Sequence, residues 1–183
     1  MQRLFLAIEP PCSLATPLLA RLAGHPACVR VVPVEQFHLT LHFLGEQPAT
    51  VRDHLCKELA TVNWQPFSLS LGQPTVFPPR GRPRGVWLTV LASAPLTQLH
   101  SQCAAALVRC GLVPESRPFT PHLTLARFRD HPPSSWTTQI LTDWPATTPK
   151  PFSVTAFHLV ASDRLPTGPR HQILQTFHAT VTQ

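Results

Sequence analysis

Apolar and polar residues recur along this 183-residue chain in patterns that predict most of its secondary structure. Short apolar or alternating runs predict β-strands, because successive side chains of a strand point to opposite faces. The predicted strands cover residues 3–8, 29–32, 36–44, 67–71, 85–91, 119–128, 152–161 and 171–181. Apolar residues spaced three or four apart predict helices over residues 13–22, 49–62, 95–110 and 134–141. Ser13 is expected to cap the first helix.

The order of these elements, β-α-β-β-α-β-β-α-β-α-β-β, predicts an α+β fold. Most strands follow one another directly, which favours antiparallel pairing with the helices packed outside the sheets. The tetrapeptide His-Leu-Thr-Leu occurs twice, at residues 38–41 and 122–125. We therefore expect one domain over residues 1–183, with two pseudo-symmetric lobes around a central cleft. Each lobe would hold an antiparallel sheet with outer helices and one copy of the motif.

Strict strand alternation places the histidine and threonine of each motif on one face, together with the residue two positions further on. These residues are His38, Thr40 and His42 in the first copy, and His122, Thr124 and Ala126 in the second. The leucines of both copies lie on the opposite, buried face, and alternation adds Phe43 to that face in the first copy. Two such strands facing each other would surround one ligand with two imidazoles and two hydroxyls.

Two histidines on one ligand permit concerted acid–base chemistry. The unperturbed pKa of about 6.5 lets one imidazole be neutral while its partner is protonated. One ring can then take a proton from a nucleophile while the other protonates a leaving group. Threonine hydroxyls can donate hydrogen bonds to phosphate oxygens, and this chemistry requires no metal. A lone strand histidine is more often structural, but a second copy in a matched context reverses that expectation.

Composition adds a basic, globular character to this picture. The net charge of +6 and the isoelectric point near 9.7 favour a polyanionic partner such as RNA, and arginines dominate because lysine occurs only twice. Arg80, Arg82 and Arg84 lie in a loop rich in proline and glycine, which is either a solvated surface loop or a basic lid. The five scattered cysteines predict buried thiols in a reducing compartment. No segment reaches membrane-span length, so we expect a cytoplasmic monomer without membrane contact.

The motif contexts resemble the 2H phosphoesterase superfamily, and within it the RNA 2′,3′-cyclic phosphodiesterases once described as 2′–5′ RNA ligases. The similar segments are Arg-Leu-Phe-Leu-Ala-Ile-Glu-Pro-Pro at 3–11, Val-Pro-Val-Glu-Gln-Phe-His-Leu-Thr-Leu-His-Phe-Leu-Gly-Glu at 32–46 and Arg-Pro-Phe-Thr-Pro-His-Leu-Thr-Leu-Ala-Arg at 117–127. The resemblance spans essentially the whole chain. It implies metal-independent hydrolysis, without a cofactor, of RNA 2′,3′-cyclic phosphate ends or cyclic nucleotides to 2′-phosphomonoesters.

The resemblance also implies a role for individual residues. His38 would be the proton donor to the departing 3′ oxygen and His122 the proton acceptor from water. Thr40 and Thr124 would bind the phosphate. Arg127 matches a phosphate-contacting basic position, although strict alternation sends it to the wrong face, so the strand must end or bulge there. Many relatives carry a tyrosine in the last strand pair, whereas this chain has none and places His171 in that region.

Other interpretations of the sequence stay open. The same residues could join RNA halves through a 2′–5′ linkage, or the cleft could hold a nucleotide or RNA without catalysis. A zinc hydrolase is disfavoured because no H-E-x-x-H motif occurs. His42 is expected to be structural rather than a partner of the catalytic pair. A third His-x-Thr, at His178, lacks the paired leucines and is expected to be a chance match.

Overall fold

A computed structural model describes residues 1–145, 150–165 and 168–180. Within these ranges the α-helices are α1 Cys12–Ala20, α2 Ala49–Leu59, α3 Ala94–Arg109 and α4 Ser134–Thr142, and Val34–Gln36 forms a 3₁₀ turn. The strands are β1 Gln2–Ile8, β2 Val29–Val31, β3 Leu39–Gln47, β4 Phe67–Leu69, β5 Leu71–Phe77, β6 Gly85–Val90, β7 His122–Phe128, β8 Phe152–Val154, β9 Ala156–Leu165 and β10 Gly168–His178. No described helix is long and apolar enough to cross a membrane.

Eight of the ten described strands form two groups of four that meet at a single point, and β4 pairs with β8 in a separate two-stranded sheet. One group runs β10-β9-β1-β3, and the other runs β7-β6-β5 with β2 added on the far side of β7. All the pairings are antiparallel, and β3 pairs with β7 at one position, Leu39 with Leu123. These leucines are the second residues of the two motifs. The predicted α+β fold with two lobes is therefore confirmed, and the lobes join at the repeated tetrapeptide.

The leucines of both motifs anchor their strands in one hydrophobic core. Leu39, Leu41, Leu123 and Leu125 are at most 3% exposed. The same core takes the apolar faces of α1, α2 and α3, whose opposite faces stay in solvent. Each fully buried leucine stabilises the fold by about 1.5–3 kcal/mol. Because the leucine face is fixed against the helices, the histidine and threonine face of each strand turns away from them.

The structure changes several of the predicted boundaries. The segment 67–71 belongs to two strands, and β5 continues to Phe77 through Pro74, which sequence patterning missed. Proline is tolerated there because β5 lies at an edge of the sheet. Ser13 lies inside α1, and its N-cap is Pro11, without a side-chain hydrogen bond. The last strand begins at Gly168, three residues early, and the predicted end at Val181 lies outside the described residues.

Candidate active site

A bulge in β3 changes which of its residues face the cleft. The pairing of β3 with β1 skips Leu41, so that Leu41 and His42 are both buried and the alternation reverses. Phe43 therefore leaves the core face, where strict alternation had placed it, and is 49% exposed. Its ring lies 6.2 Å from that of Phe5 on β1. The prediction that His42 shares a face with His38 was wrong, because a bulge inserts one extra residue into the alternation.

The second motif repeats this bulge at the same offset. The pairing of β7 with β6 skips Leu125, so Leu125 and Ala126 are both buried and the exposed Arg127 turns to the histidine face. Ala126 thus lies in the core, against the prediction from strict alternation. The bulge needed to turn Arg127 towards the histidine face is therefore present. The positive charge of Arg127 contributes to lowering the pKa of His38, His122 and His171. Phe43 and Arg127, each five residues after its motif histidine, occupy equivalent positions in the two lobes.

The two motif histidines are held by the same backbone interaction. Nδ1 of His38 lies 2.7 Å from the carbonyl oxygen of Gln36, and Nδ1 of His122 lies 2.8 Å from that of Thr120. A carbonyl can only accept, so each Nδ1 carries a proton and donates it. Each ring then presents Nε2 as its reactive nitrogen, which is a base when neutral and an acid when protonated. The arrangement thus provides two interchangeable proton-transfer groups.

The register at the lobe junction brings the predicted residues together. Leu39 pairs with Leu123, so the flanking residues of the two motifs lie next to each other on the opposite face. These flanking residues are His38, Thr40, His122 and Thr124. The charges of Arg127 and His122 both lower the pKa of His38, which is consistent with a shared cleft. Both threonines are half-buried.

Aromatic rings that the sequence did not single out pack against both histidines. The ring centroid of Phe5 lies 4.9 Å from that of His38 and 5.0 Å from that of His171. On the other lobe Trp87 stacks on His122 at 3.5 Å, with Phe77 stacked on its far side at 3.5 Å. The sequence alone could not place Phe5 and Trp87 beside the histidines, because that requires the order of the strands in the sheet. These rings limit the motion of the imidazoles and shield them from water.

Burial within this cleft lowers the pKa of both histidines. Desolvation is the largest cause and takes the pKa of His38 to about 4, despite the opposing hydrogen bond to Gln36. His171, Arg127 and His122 lower it further by charge repulsion. The pKa of His122 is also lowered, first by desolvation and then by Arg127. Both rings are consequently neutral near pH 7 unless a bound anion restores a proton.

His171, which occupies the region where many relatives carry a tyrosine, packs against His38 in the cleft. Its ring centroid is 5.1 Å from that of His38, in an edge-on arrangement. The Gln36 side chain fixes the strand that carries it, because Nε2 donates to the carbonyl of Pro169 at 2.6 Å. The pKa of His171 is lowered by desolvation and by Arg127. One glutamine thus links the first motif histidine to the start of β10.

The other sequence candidates lie outside this cluster. His178 is exposed at the far end of β10, about 23 Å along the strand from His171. Nε2 of His42 donates to the His100 carbonyl at 2.9 Å, and the two rings stack at 4.0 Å. These contacts give His42 a structural role behind the cleft. Arg80, Arg82 and Arg84 are exposed, and Arg82 pairs with Asp130 at 3.0 Å.

The cysteines and the acidic residues contribute no metal centre to the described part of the chain. All five cysteines are free, and the prediction that they are buried holds only for Cys103, since Cys12 is exposed and the other three are half-buried. Within residues 1–145, 150–165 and 168–180, no group of three or more histidine, cysteine, aspartate or glutamate side chains could hold a metal ion.

Comparisons with known proteins show what this chain is similar to. A family model described as the 2′-5′ RNA ligase superfamily matches residues 10–166. The RNA 2′,3′-cyclic phosphodiesterase of Archaeoglobus fulgidus is 30% identical over 178 residues, which cover 96% of this chain and 99% of that protein. The Escherichia coli enzyme of the same name is 33% identical over 129 residues, covering 69% and 72%. A crystal structure of E. coli LigT complexed with 3′-AMP covers 98% of this chain and 99% of its own, with 28% identity and a TM-score of 0.79.

Proposed function

The chain belongs to the 2′-5′ RNA ligase superfamily, as its motifs predicted, and we propose that it hydrolyses RNA 2′,3′-cyclic phosphate ends to 2′-phosphomonoesters without a metal. The observation that carries the proposal is the matched pair of imidazoles, each fixed through Nδ1 to a backbone carbonyl at 2.7 and 2.8 Å. A protein that only bound the nucleotide would not need two oriented proton-transfer groups in one cleft.

The proposed reaction consumes one water. Nε2 of His122 accepts a proton from that water while its oxygen attacks the phosphorus. The bond from phosphorus to the 3′ oxygen breaks, and Nε2–H of His38 donates its proton to that oxygen. Thr40, Thr124 and Arg127 hold the non-bridging oxygens, where negative charge develops in the transition state. The products are a 2′-phosphate and a 3′-hydroxyl, and one proton must then return from His122 to His38.

The substrate itself supplies the conditions for proton donation by His38. The pKa of His38 is about 4, which leaves the ring neutral at pH 7. A bound phosphodiester brings a negative charge next to both imidazoles and raises their pKa. The assignment of donor and acceptor rests on family membership, because the hydrogen-bond geometry of the two rings is equivalent.

One assay tests the reaction and its metal independence together. An RNA oligonucleotide ending in a 2′,3′-cyclic phosphate is incubated with the protein in EDTA, and the product ends are identified by chromatography. We expect complete conversion to the 2′-phosphate. A 3′-phosphate, or no turnover in EDTA with turnover restored by zinc, would contradict the proposal. Binding of the oligonucleotide without turnover would favour a non-catalytic module, and joining of RNA halves would favour the ligase.

A sulfur-substituted substrate separates the two histidine roles. With sulfur at the bridging 3′ position the leaving group is a thiolate, which needs little protonation because thiol pKa values are near 8.5. His38→Ala should then lose about 10²–10⁴-fold with the oxygen substrate but much less with the sulfur substrate. His122→Ala should lose activity with both. If the sulfur substrate restores the activity of His122→Ala instead, His122 is the proton donor and His38 the proton acceptor.

A further inference from the structure

Three arginines from three strands converge on the histidine face, beyond what one phosphate requires. Arg30 on β2 is the direct partner of Arg127 on β7, so the two side chains share a face. Arg3 lies two residues before Phe5 on β1 and therefore faces the same cleft. The pKa of Arg127 is lowered first by desolvation and then by the charges of Arg30 and Arg3. The guanidinium of Arg127 is thus close enough to those of Arg30 and Arg3 to be repelled by both.

This concentration of positive charge points to an anionic ligand. Like charges directly opposite on antiparallel strands are destabilising, and Gly85, on the other side of Arg127, has no side chain to offset them. Within the described residues, the side chains of Arg3 and Arg127 form no hydrogen bond or ion pair. Glu46 is the register partner of Arg3, yet it is exposed and does not pair with it. A phosphate group would relieve the repulsion.

The position of Arg30 is set by a glycine on the opposite lobe. Its guanidinium lies so close to Gly168 that a Cβ at that residue would overlap it, and Gly168 has a φ of +126°. Gly168 begins β10, the strand that carries His171. Arg30 therefore reaches from one lobe across to the other, beside the reactive cleft rather than into its centre.

We propose that Arg30 and Arg3 form a subsite for the phosphate 5′ to the terminal ribose, so that the enzyme acts on RNA chains in preference to nucleoside 2′,3′-cyclic phosphates. This inference rests on the proposed function and names its substrate class. Arg127 binds the reacting phosphate, and the two outer arginines bind the next one. Guanidinium groups are suited to this task because their donors match phosphate oxygens in pairs.

The test compares two substrates on the same enzyme sample. Adenosine 2′,3′-cyclic phosphate and the same nucleotide with an added 5′-phosphate differ only in the group that the subsite would bind. We expect kcat/KM to be about tenfold higher for the 5′-phosphorylated substrate, as for one charge-assisted contact. Because both values come from one sample, their ratio does not depend on how much of the protein is folded.

Three variants assign the preference to this subsite. Arg30→Gln should bring the ratio of the two kcat/KM values close to one, and Gly168→Ala should lower it by displacing the guanidinium without changing the net charge. Arg52→Gln on α2 is the charge-matched control and should keep the wild-type ratio. The subsite would be overturned by any of three results: a kcat/KM ratio near one in the wild type, a wild-type ratio in Arg30→Gln, or a ratio in Arg52→Gln that falls as far as in Arg30→Gln.

A dinucleotide ending in the cyclic phosphate separates the two sources of a 5′-phosphate. If the dinucleotide shows the same increase in kcat/KM, and Arg30→Gln removes it, the subsite binds the phosphate of an RNA chain. A gain confined to the 5′-monophosphate assigns it to mononucleotides and overturns the preference for chains. If none of the three substrates is hydrolysed, the proposed function fails; if all are hydrolysed equally, only the subsite fails.

Discussion

The low pKa of the cleft histidines predicts an unusual pH dependence. Productive free enzyme needs one imidazolium and one neutral imidazole. With the pKa of His38 near 4 and that of His122 lowered from its ordinary value, singly protonated enzyme is confined to the acidic range, and the proposed roles use only the fraction of it that carries the proton on His38. At pH 7 only about one molecule in a thousand would carry a proton on His38. We therefore expect kcat/KM to fall about tenfold per pH unit above pH ~6.5, or about a hundredfold by pH ~8.5.

The assay measures initial rates on a 2′,3′-cyclic nucleotide from pH 4 to 9 at constant ionic strength. Subsaturating substrate gives kcat/KM and the pKa values of the free enzyme, whereas saturating substrate gives kcat and those of the complex. The bound phosphodiester is negative, so it should raise the histidine pKa values and move the basic limb of kcat to higher pH. Nuclear magnetic resonance titration of the ring protons, with and without the 2′-nucleotide product, measures the same shift independently.

Three outcomes would refute this reasoning. A kcat/KM that stays flat or rises from pH 6.5 to 9 would mean that no imidazolium is needed, as in a hydroxide mechanism. A His38 resonance titrating near 6.5 in the free protein would mean that burial does not disfavour its charge. Identical basic limbs in kcat and kcat/KM would mean that the bound phosphate does not interact with the imidazole pair.

Further predictions follow from the same cleft. His38→Ala and His122→Ala should each lose about 10²–10⁴-fold in turnover of the natural substrate, and Thr40→Ala and Thr124→Ala should lose less because no proton-transfer group is removed; a deeper loss in a threonine variant would contradict this. His178→Ala should keep near wild-type turnover in the same assay, since its ring lies far from the cleft. Urea unfolding should show the free energy of unfolding decreasing as the pH falls from about 6.5 towards 4, because the pKa of His38 is lowered only in the folded state and the unfolded chain therefore binds the proton first. His38 alone would account for about 3 kcal/mol. An unchanged urea midpoint over this range would contradict the lowered pKa of His38.

The sequence was sufficient for the parts of the site that repeat. A doubled tetrapeptide with alternating leucines predicts two anchored strands, and the structure pairs Leu39 with Leu123 at the lobe junction. Alternation failed immediately after each motif, where Leu41 and Leu125 are skipped by their partner strands. A bulge depends on the pairing of two strands distant in sequence, so a local pattern contains no signal for it. The one indication of a bulge in the sequence was Arg127, which strict alternation would have sent to the face opposite His122.

The residues that surround the histidines were harder to predict because they come from other strands. Phe5 and Trp87 lie in apolar runs that look like ordinary core, and only the strand order β9-β1-β3 and β7-β6-β5 places them beside His38 and His122. His171 stood out only because a tyrosine was expected there. Its position 5.1 Å from His38 depends on β10 pairing with β9, a contact made at the opposite end of the chain.

The repeated bulge explains how one architecture gives two unequal half-sites. Each lobe presents a histidine, a threonine and, five residues after the histidine, one further side chain on the cleft face. That last position is Phe43 in one lobe and Arg127 in the other. An exposed aromatic ring offers a stacking surface, whereas a guanidinium binds phosphate. Because the two histidine–threonine pairs are equivalent, the proposed function predicts that this difference orients the nucleotide, with its phosphate towards Arg127 and its base towards Phe43.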